Sequence, residues 1–185
     1  MTTDVSTSTS TATEIPAGTW TIDPSHSEVG FTVRHLMSKV RGQFEKFEGT
    51  LTTGAALGDT RAQATIDLNS IDTRDEQRDG HLRSADFFDV EASGPMTFAT
   101  TSFDGETARG ELTLKGVTKP VELEVEFLGV DKDPWGGTRV GFEASTVINR
   151  KDWGVDFNIP LDGSKVLIGD KVNIHLAVEA VLEQA

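Results

Sequence analysis

Four side chains stand out as able to do acid–base or ion-pair chemistry. Arg74, Arg78 and His81 lie in "RDEQRDGHLRSADFFDV", from Arg74 to Val90, which packs cations, acids and a histidine together before ending on Phe87-Phe88. His35 closes "SEVGFTVRHL", on the same parity as Val29, Phe31 and Val33. On a helix, Arg74, Arg78, His81, Leu82 and Ala85 share roughly one face. Such donors suit an anionic or hydroxyl head group, arginine through its planar fork. His35 has two readings: a core histidine bonded to a backbone carbonyl, or a polar group orienting a ligand inside a cavity. The charged segment also has two: a solvated helix plugging one end of the fold, or a set of cationic donors at a cavity mouth.

Local signals around that segment are mixed. Asp79 and Arg83 stand in the favourable order for an i, i+4 helix ion pair. Thr73 with Gln77, or Asp72 with Asp75, can cap its start. Gly80 costs about 1 kcal/mol inside a helix, which leaves two short turns as an alternative to one helix. Phe87 and Phe88 are expected to anchor the segment to the body of the fold. His175 lies on the polar parity of its segment and reads as solvated. His26, in "DPSHSEV", reads as a turn-stabilising hydrogen-bond partner.

The elements that must position these groups are strands. Val121, Leu123, Val125 and Phe127 are expected to face in, with Glu122, Glu124 and Glu126 out. Val172, Ile174, Leu176 and Val178 alternate with Asn173, His175 and Glu179. "AQATIDLNSI" places Ala64, Ile66 and Leu68 on one side of a further strand. Phe44 and Phe47 have opposite parity, so a bulge or sharp bend is expected between them. About eight strands result, with no repeat and no domain linker. Alternation with one wet face predicts an antiparallel sheet. Eight antiparallel strands can close into a barrel that holds one elongated ligand, and a two-sheet sandwich is the structural rival.

Composition excludes several functions. The 185 residues contain no cysteine, which removes disulfides, thiolate catalysis and cysteine metal sites. A net charge of −13 repels phosphate backbones and disfavours nucleic-acid binding. No phosphate-binding loop, dinucleotide glycine fingerprint or nucleophile elbow is present, and no two histidines stand at H-x-H or H-x-x-x-H spacing. The first 17 residues, rich in Ser and Thr, read as a disordered tail without the cationic and apolar regions of a secretory signal. Residues 18–185 then form one domain. No run approaches the roughly 18 apolar residues of a membrane span. A cytoplasmic location is expected.

"TWTIDPSHSEVGFTVRHL", "GQFEKFEGTL", "SIDTRDEQRDGHLRSADFFDV", "GELTLKGVTKPVELEVEFLG", "DPWGGTRVGFEASTVINRKDWG" and "GDKVNIHLAVEA" follow one another in that order. Together they resemble the YceI-like family of bacterial lipid-binding proteins, over Trp20 to about Val181. The resemblance implies an extended, lipocalin-like antiparallel barrel with a short helical insert around residues 74–85. It further implies an apolar tunnel for a long amphiphile, of polyisoprenoid, quinone or prenyl-diphosphate type, carried or stored without catalysis. No cofactor or metal is implied, and a homodimer is implied by resemblance alone. Many family members carry a secretory signal, whereas this sequence starts with a Ser/Thr tail.

By parity and by place in these blocks, the tunnel candidates are Phe31, Val33, Phe44, Ile66, Leu68, Phe98, Phe142 and Trp153. The head-group candidates are His35, Arg74, Arg78, His81 and Arg150. Two other functions remain open: an enzyme using His35 or His81 as acid/base on an isoprenoid-like substrate, and a stress-related structural protein with no ligand.

Overall fold

In a computed structural model, which describes residues 15–184, the chain is an all-β barrel. The Ser/Thr run of residues 1–14 lies outside the described residues. The strands are β1 (Gly18–Ile22), β2 (Glu28–His35), β3 (Ser38–Phe44), β4 (Phe47–Thr53), β5 (Arg61–Ile66) and β6 (Ile71–Asp72). They continue as β7 (Met96–Phe103), β8 (Thr107–Leu114), β9 (Val117–Lys132), β10 (Thr138–Asn149) and β11 (Ile168–Leu182). All pairings are antiparallel. Strands β1-β4-β5-β7-β8-β9-β10-β11 form a ring of eight, closed where β11 meets β1 through Trp20↔Leu182. Strands β2, β3 and β6 prolong β1, β4 and β5 at one end of the barrel. There β2 takes over the edge of β11 that β1 holds further along. The barrel is therefore the expected eight-stranded one, with three of its strands broken.

Two of the three breaks, and two further strand ends, share one local cause. Ile22-Asp23, Ile66-Asp67, Ile71-Asp72 and Ile148-Asn149 each end a strand. In each, the Asx oxygen accepts a hydrogen bond from the backbone N–H two residues on, at Ser25, Asn69, Arg74 and Lys151. That bond bends the chain out of the ladder. It corrects the continuous strand expected from Ala62 to Ile71: Leu68 sits in a 3₁₀ turn, fully buried, instead of on the strand. The bend expected between Phe44 and Phe47 falls at Glu45-Lys46, between β3 and β4.

Alternation holds along β9 until Leu128, which has no partner opposite because the register with β10 shifts between Gly141 and Phe142. Val121 and Leu123 are buried and Glu122, Glu124 and Glu126 are exposed, as expected. Phe127, expected inside, is 38% exposed beside this bulge.

At the prolonged end, β6 pairs only with β3, leaving a gap before β7. The charged segment covers it. Helix α1 (Glu76–Arg83) is one continuous helix, followed by the short α2 (Val90–Ser93). Asp75 caps α1, accepting from the Arg78 N–H, so Arg74 precedes the helix and holds a left-handed φ of 63°. The expected Asp79–Arg83 ion pair does not form. Asp79 is buried and accepts from the N–H and hydroxyl of Thr73, while Arg83 donates to the carbonyls of Asn69 and Ile71. Both groups serve the gap-covering loop, where bonds to buried backbone outweigh an exposed ion pair. Phe87 is buried in the barrel interior and Phe88 packs beside it, as expected of anchors.

A Cβ added at Gly80 would meet no atom within 4 Å, and its φ is not positive. Gly80→Ala is therefore expected to stabilise the protein by about 0.5–1 kcal/mol. The check is a higher midpoint at unchanged slope in urea unfolding.

The interior divides by height. Trp20, Leu51, Val140 and Ala180 pack the far end, and Ala108, Leu123 and Ala144 the middle. A larger cluster around Phe44, Ile71, Phe87, Leu114 and Trp153 fills the prolonged end, though incompletely. Among the described residues no helix is long and apolar enough to cross a membrane.

Candidate functional site

The incomplete packing leaves a cavity of about 280 Å³. Its wall is almost wholly apolar. Val29, Phe31 and Val33 of β2, Val40 and Phe44 of β3, Ile148 of β10, and Ile168, Val172 and Ile174 of β11 supply the strand side. Leu82, Phe87 and Phe88 close it from the charged segment, and Val155, Phe157, Ile159 and Leu167 from the irregular stretch between β10 and β11. The parity of β2 explains its share: alternate residues point inward, and the ring of Phe31 lies across Gly42 on the neighbouring strand. A Cβ on Gly42 would clash with that ring.

Four polar residues reach the wall: His35, Arg78, His81 and Arg150. The His35 side chain has no hydrogen-bond partner among the described residues, so the carbonyl expected of a core histidine is not there. His81 Nε2 lies 2.8 Å from Asp86 Oδ2, and its ring sits edge-on to Phe87 and Phe157, both with centroids 5.0 Å away. Arg78 donates from Nε to the Thr73 hydroxyl at 2.8 Å and from Nη2 to the Thr73 carbonyl at 2.7 Å. Two of its five N–H groups are thereby committed to the loop.

Arg150 is 5% exposed. Its Nη1 donates to the carbonyls of Val155 and Phe157 at 2.7 and 2.9 Å, and its Nε to that of Gly169 at 2.9 Å. Nη2 has no hydrogen-bond partner and lies 3.9 Å from Asp170 Oδ1, which the Lys151 ammonium approaches at 3.4 Å. Burial pushes the Arg150 guanidinium below arginine's ordinary value, and the carboxylates of Asp170 and Asp156 counter it. Of its five N–H groups, the two on Nη2 remain for a water or a ligand.

The sequence candidates thus divide. Phe31, Val33, Phe44, His35, Arg78, His81 and Arg150 converge on one cavity. Ile66 and Trp153 are buried in the packed cluster beside it, and Phe98 bridges that cluster and the middle one. Phe142 belongs to the far cluster. Leu68 lines a separate open groove of about 700 Å³, and Arg74 an outer groove of about 580 Å³ with Lys39 and Arg41. Phe157, Ile159 and Leu167 escaped the sequence reading, because residues 154–167 have no period that assigns an inward face.

A second polar cluster lies away from the cavity. Asp23, His26 and Glu179 bring three potential metal-ligand atoms within 4.8 Å of one another. Arg139 already occupies the cluster, donating to Asp23, Asp133 and Glu179 at 2.8–2.9 Å. Bonds from Ser25, Arg139 and His26 hold the Asp23 carboxyl well below the usual carboxylate range. The cluster reads as an ion-pair network that fixes the β1–β2 bend. His26 plays the turn-stabilising part expected of it, with Nδ1 3.0 Å from Asp23 Oδ2.

A model of the YceI-like domain matches residues 20–180. A UPF0312 protein of Staphylococcus epidermidis is 41% identical over 160 residues, covering 85% of this chain and 94% of that protein. The crystal structure of the YCEI protein of Campylobacter jejuni superposes with a TM-score of 0.68 at 30% identity, over 88% of this chain and 96% of that one. A polyisoprenoid binding domain from Saccharophagus degradans, implicated in plant cell wall breakdown, shares the fold with a TM-score of 0.69 at 16% identity. It is covered completely, by 91% of this chain.

Proposed function

The chain belongs to the YceI-like family, and from that premise we propose that its barrel binds the chain of a long amphiphilic lipid, carrying or storing it without catalysis. The observation that carries this reading is the apolar cavity at the prolonged end of the barrel. A void walled by Phe, Val, Ile and Leu loses dispersion contacts on every side and gains nothing from water. An apolar chain fills it and leaves water at roughly 25 cal/mol per Å² of apolar area. The shared fold with a polyisoprenoid binding domain fits this reading.

The volume bounds what is enclosed. At roughly 30 Å³ per water-sized unit, 280 Å³ holds about ten chain atoms. A polyisoprenoid, quinone or prenyl-diphosphate tail longer than that protrudes through the mouth or separates the packed cluster around Trp153. The head group meets the four polar residues of the wall. His35 and Arg150 Nη2 offer donors without a hydrogen-bond partner among the described residues, Arg78 keeps the two N–H groups of Nη1, and His81 is engaged by Asp86.

The test is native mass spectrometry of protein purified without detergent, followed by lipid extraction. A co-purifying long-chain amphiphile, displaced by added prenol, is the expected result. Protein that is empty as isolated and takes up neither prenol nor a prenyl phosphate would sink the reading.

A further inference from the structure

The rim of the cavity is apolar where it meets the surface. Ile159 lines the cavity and is also 46% exposed, which places it at the mouth. Beside it Leu36 is 50% exposed, Met37 100% and Val166 47%. Backbone bonds tie these positions into one lip. The Leu36 N–H donates to the Leu167 carbonyl, the Leu167 N–H donates to the Ile159 carbonyl, and Pro160 pairs with Val166. Leu36 holds a left-handed φ of 52°, a conformation unfavourable for leucine, at the tip of the β2–β3 hairpin. A contiguous apolar patch that continues into a cavity marks a surface with a partner.

The hairpin that carries the lip holds cations and no acids. Residues 29–44 include Arg34, Lys39 and Arg41 and no Asp or Glu, in a chain of net charge −13. Arg74 joins Lys39 and Arg41 along the outer groove, where the two acids are Glu28 and Asp72. Among the described residues none of Arg34, Lys39, Arg41 or Arg74 pairs with a carboxylate. Lys165 extends the patch beside Val166, with Asp162 as a nearby acid in sequence. A second copy docked lip to lip about a two-fold axis would set these cations against themselves. An anionic bilayer answers both features, with apolar tips entering the head-group boundary and cations meeting lipid phosphates.

We propose that the lip of Leu36, Met37, Ile159 and Val166, with its flanking cations, docks on an anionic membrane surface. The mouth then faces the bilayer, and a lipid chain passes between membrane and cavity without crossing water. This rests on the lipid-binding reading above.

The experiment compares sedimentation with vesicles of phosphatidylcholine plus phosphatidylglycerol against phosphatidylcholine alone. In parallel, prenol delivered from detergent measures loading without a membrane. The wild-type protein is expected to bind the mixed vesicles, less so as salt rises. Lys39→Gln with Arg41→Gln is expected to weaken this binding by roughly fivefold per cation. Met37→Asp, at a side chain with no packing to lose, is expected to abolish it. Neither variant should change loading from detergent. Vesicle binding that persists when loading fails would support the docking surface while removing the lipid-carrier reading. Loading without preferential binding to mixed vesicles overturns the docking surface alone. A dimer that Met37→Asp dissociates would also overturn it, in favour of a second copy.

Discussion

Arg150→Ala is expected to destabilise the protein by about 3–5 kcal/mol, because it removes at once the buried donor of three backbone carbonyls. The guanidinium serves Val155, Phe157 and Gly169 at once. Val155 and Phe157 are cavity wall, and Phe157 packs against both His81 and Phe87. Removing the arginine therefore loosens the irregular stretch that closes the cavity as well as leaving polar atoms without this donor. Asp170 loses its nearest buried cation too, although its side chain is 41% exposed and retains access to water. The measurement is urea unfolding, where the midpoint should fall sharply.

Arg150→Met separates two roles of the same residue. It keeps the apolar stem and removes every donor, so most of the loss seen with alanine should remain. If methionine restored stability, the stem's packing and not the hydrogen bonds would hold the wall. Binding then tests the head-group role on whatever folds. The two free N–H groups of Nη2 predict a larger loss for a prenyl phosphate than for the matching alkane. Equal losses would confine Arg150 to the scaffold.

The fold was legible because alternation is a local property that the ladder preserves. Val29, Phe31, Val33 and His35 share a parity in sequence and a cavity in space. Depth was not legible. Parity says that Ile66, Phe98, Phe142 and Trp153 point inward, but not whether the barrel is hollow or packed at that height. That depends on how far strands slide past one another, and on the bends that break three of them, two at Asx residues and one at Glu45-Lys46. A signal for the Asx bends was present, since Ile is followed by Asp or Asn at four strand ends. The helix was read two residues too early for a similar reason. Asp75 and not Arg74 begins it, so Arg74 faces the outer groove beside Lys39 instead of the cavity.

Trp153→Ala is expected to cost a further large amount, about 3–5 kcal/mol. The indole is 2% exposed, and its Nε1 donates to the Leu112 carbonyl at 2.9 Å. It packs in one cluster with Phe44, Phe87, Leu114 and Val155, all of which also line the cavity. The void left by alanine thus opens beside the existing one, and both are apolar. Trp153→Phe distinguishes volume from hydrogen bonding. It keeps most of the ring and leaves the Leu112 carbonyl without its donor, for a smaller loss of about 1–3 kcal/mol. The alanine variant also makes ligand length measurable. A lipid bound to the folded state alone, at about a hundred times its Kd, restores about 2.7 kcal/mol. If the cavity holds the chain as proposed, amphiphiles with longer tails should rescue Trp153→Ala better than short ones, while the wild-type protein shows a weaker dependence on tail length. Rescue that is the same at every length would place the binding chain elsewhere than beside Trp153.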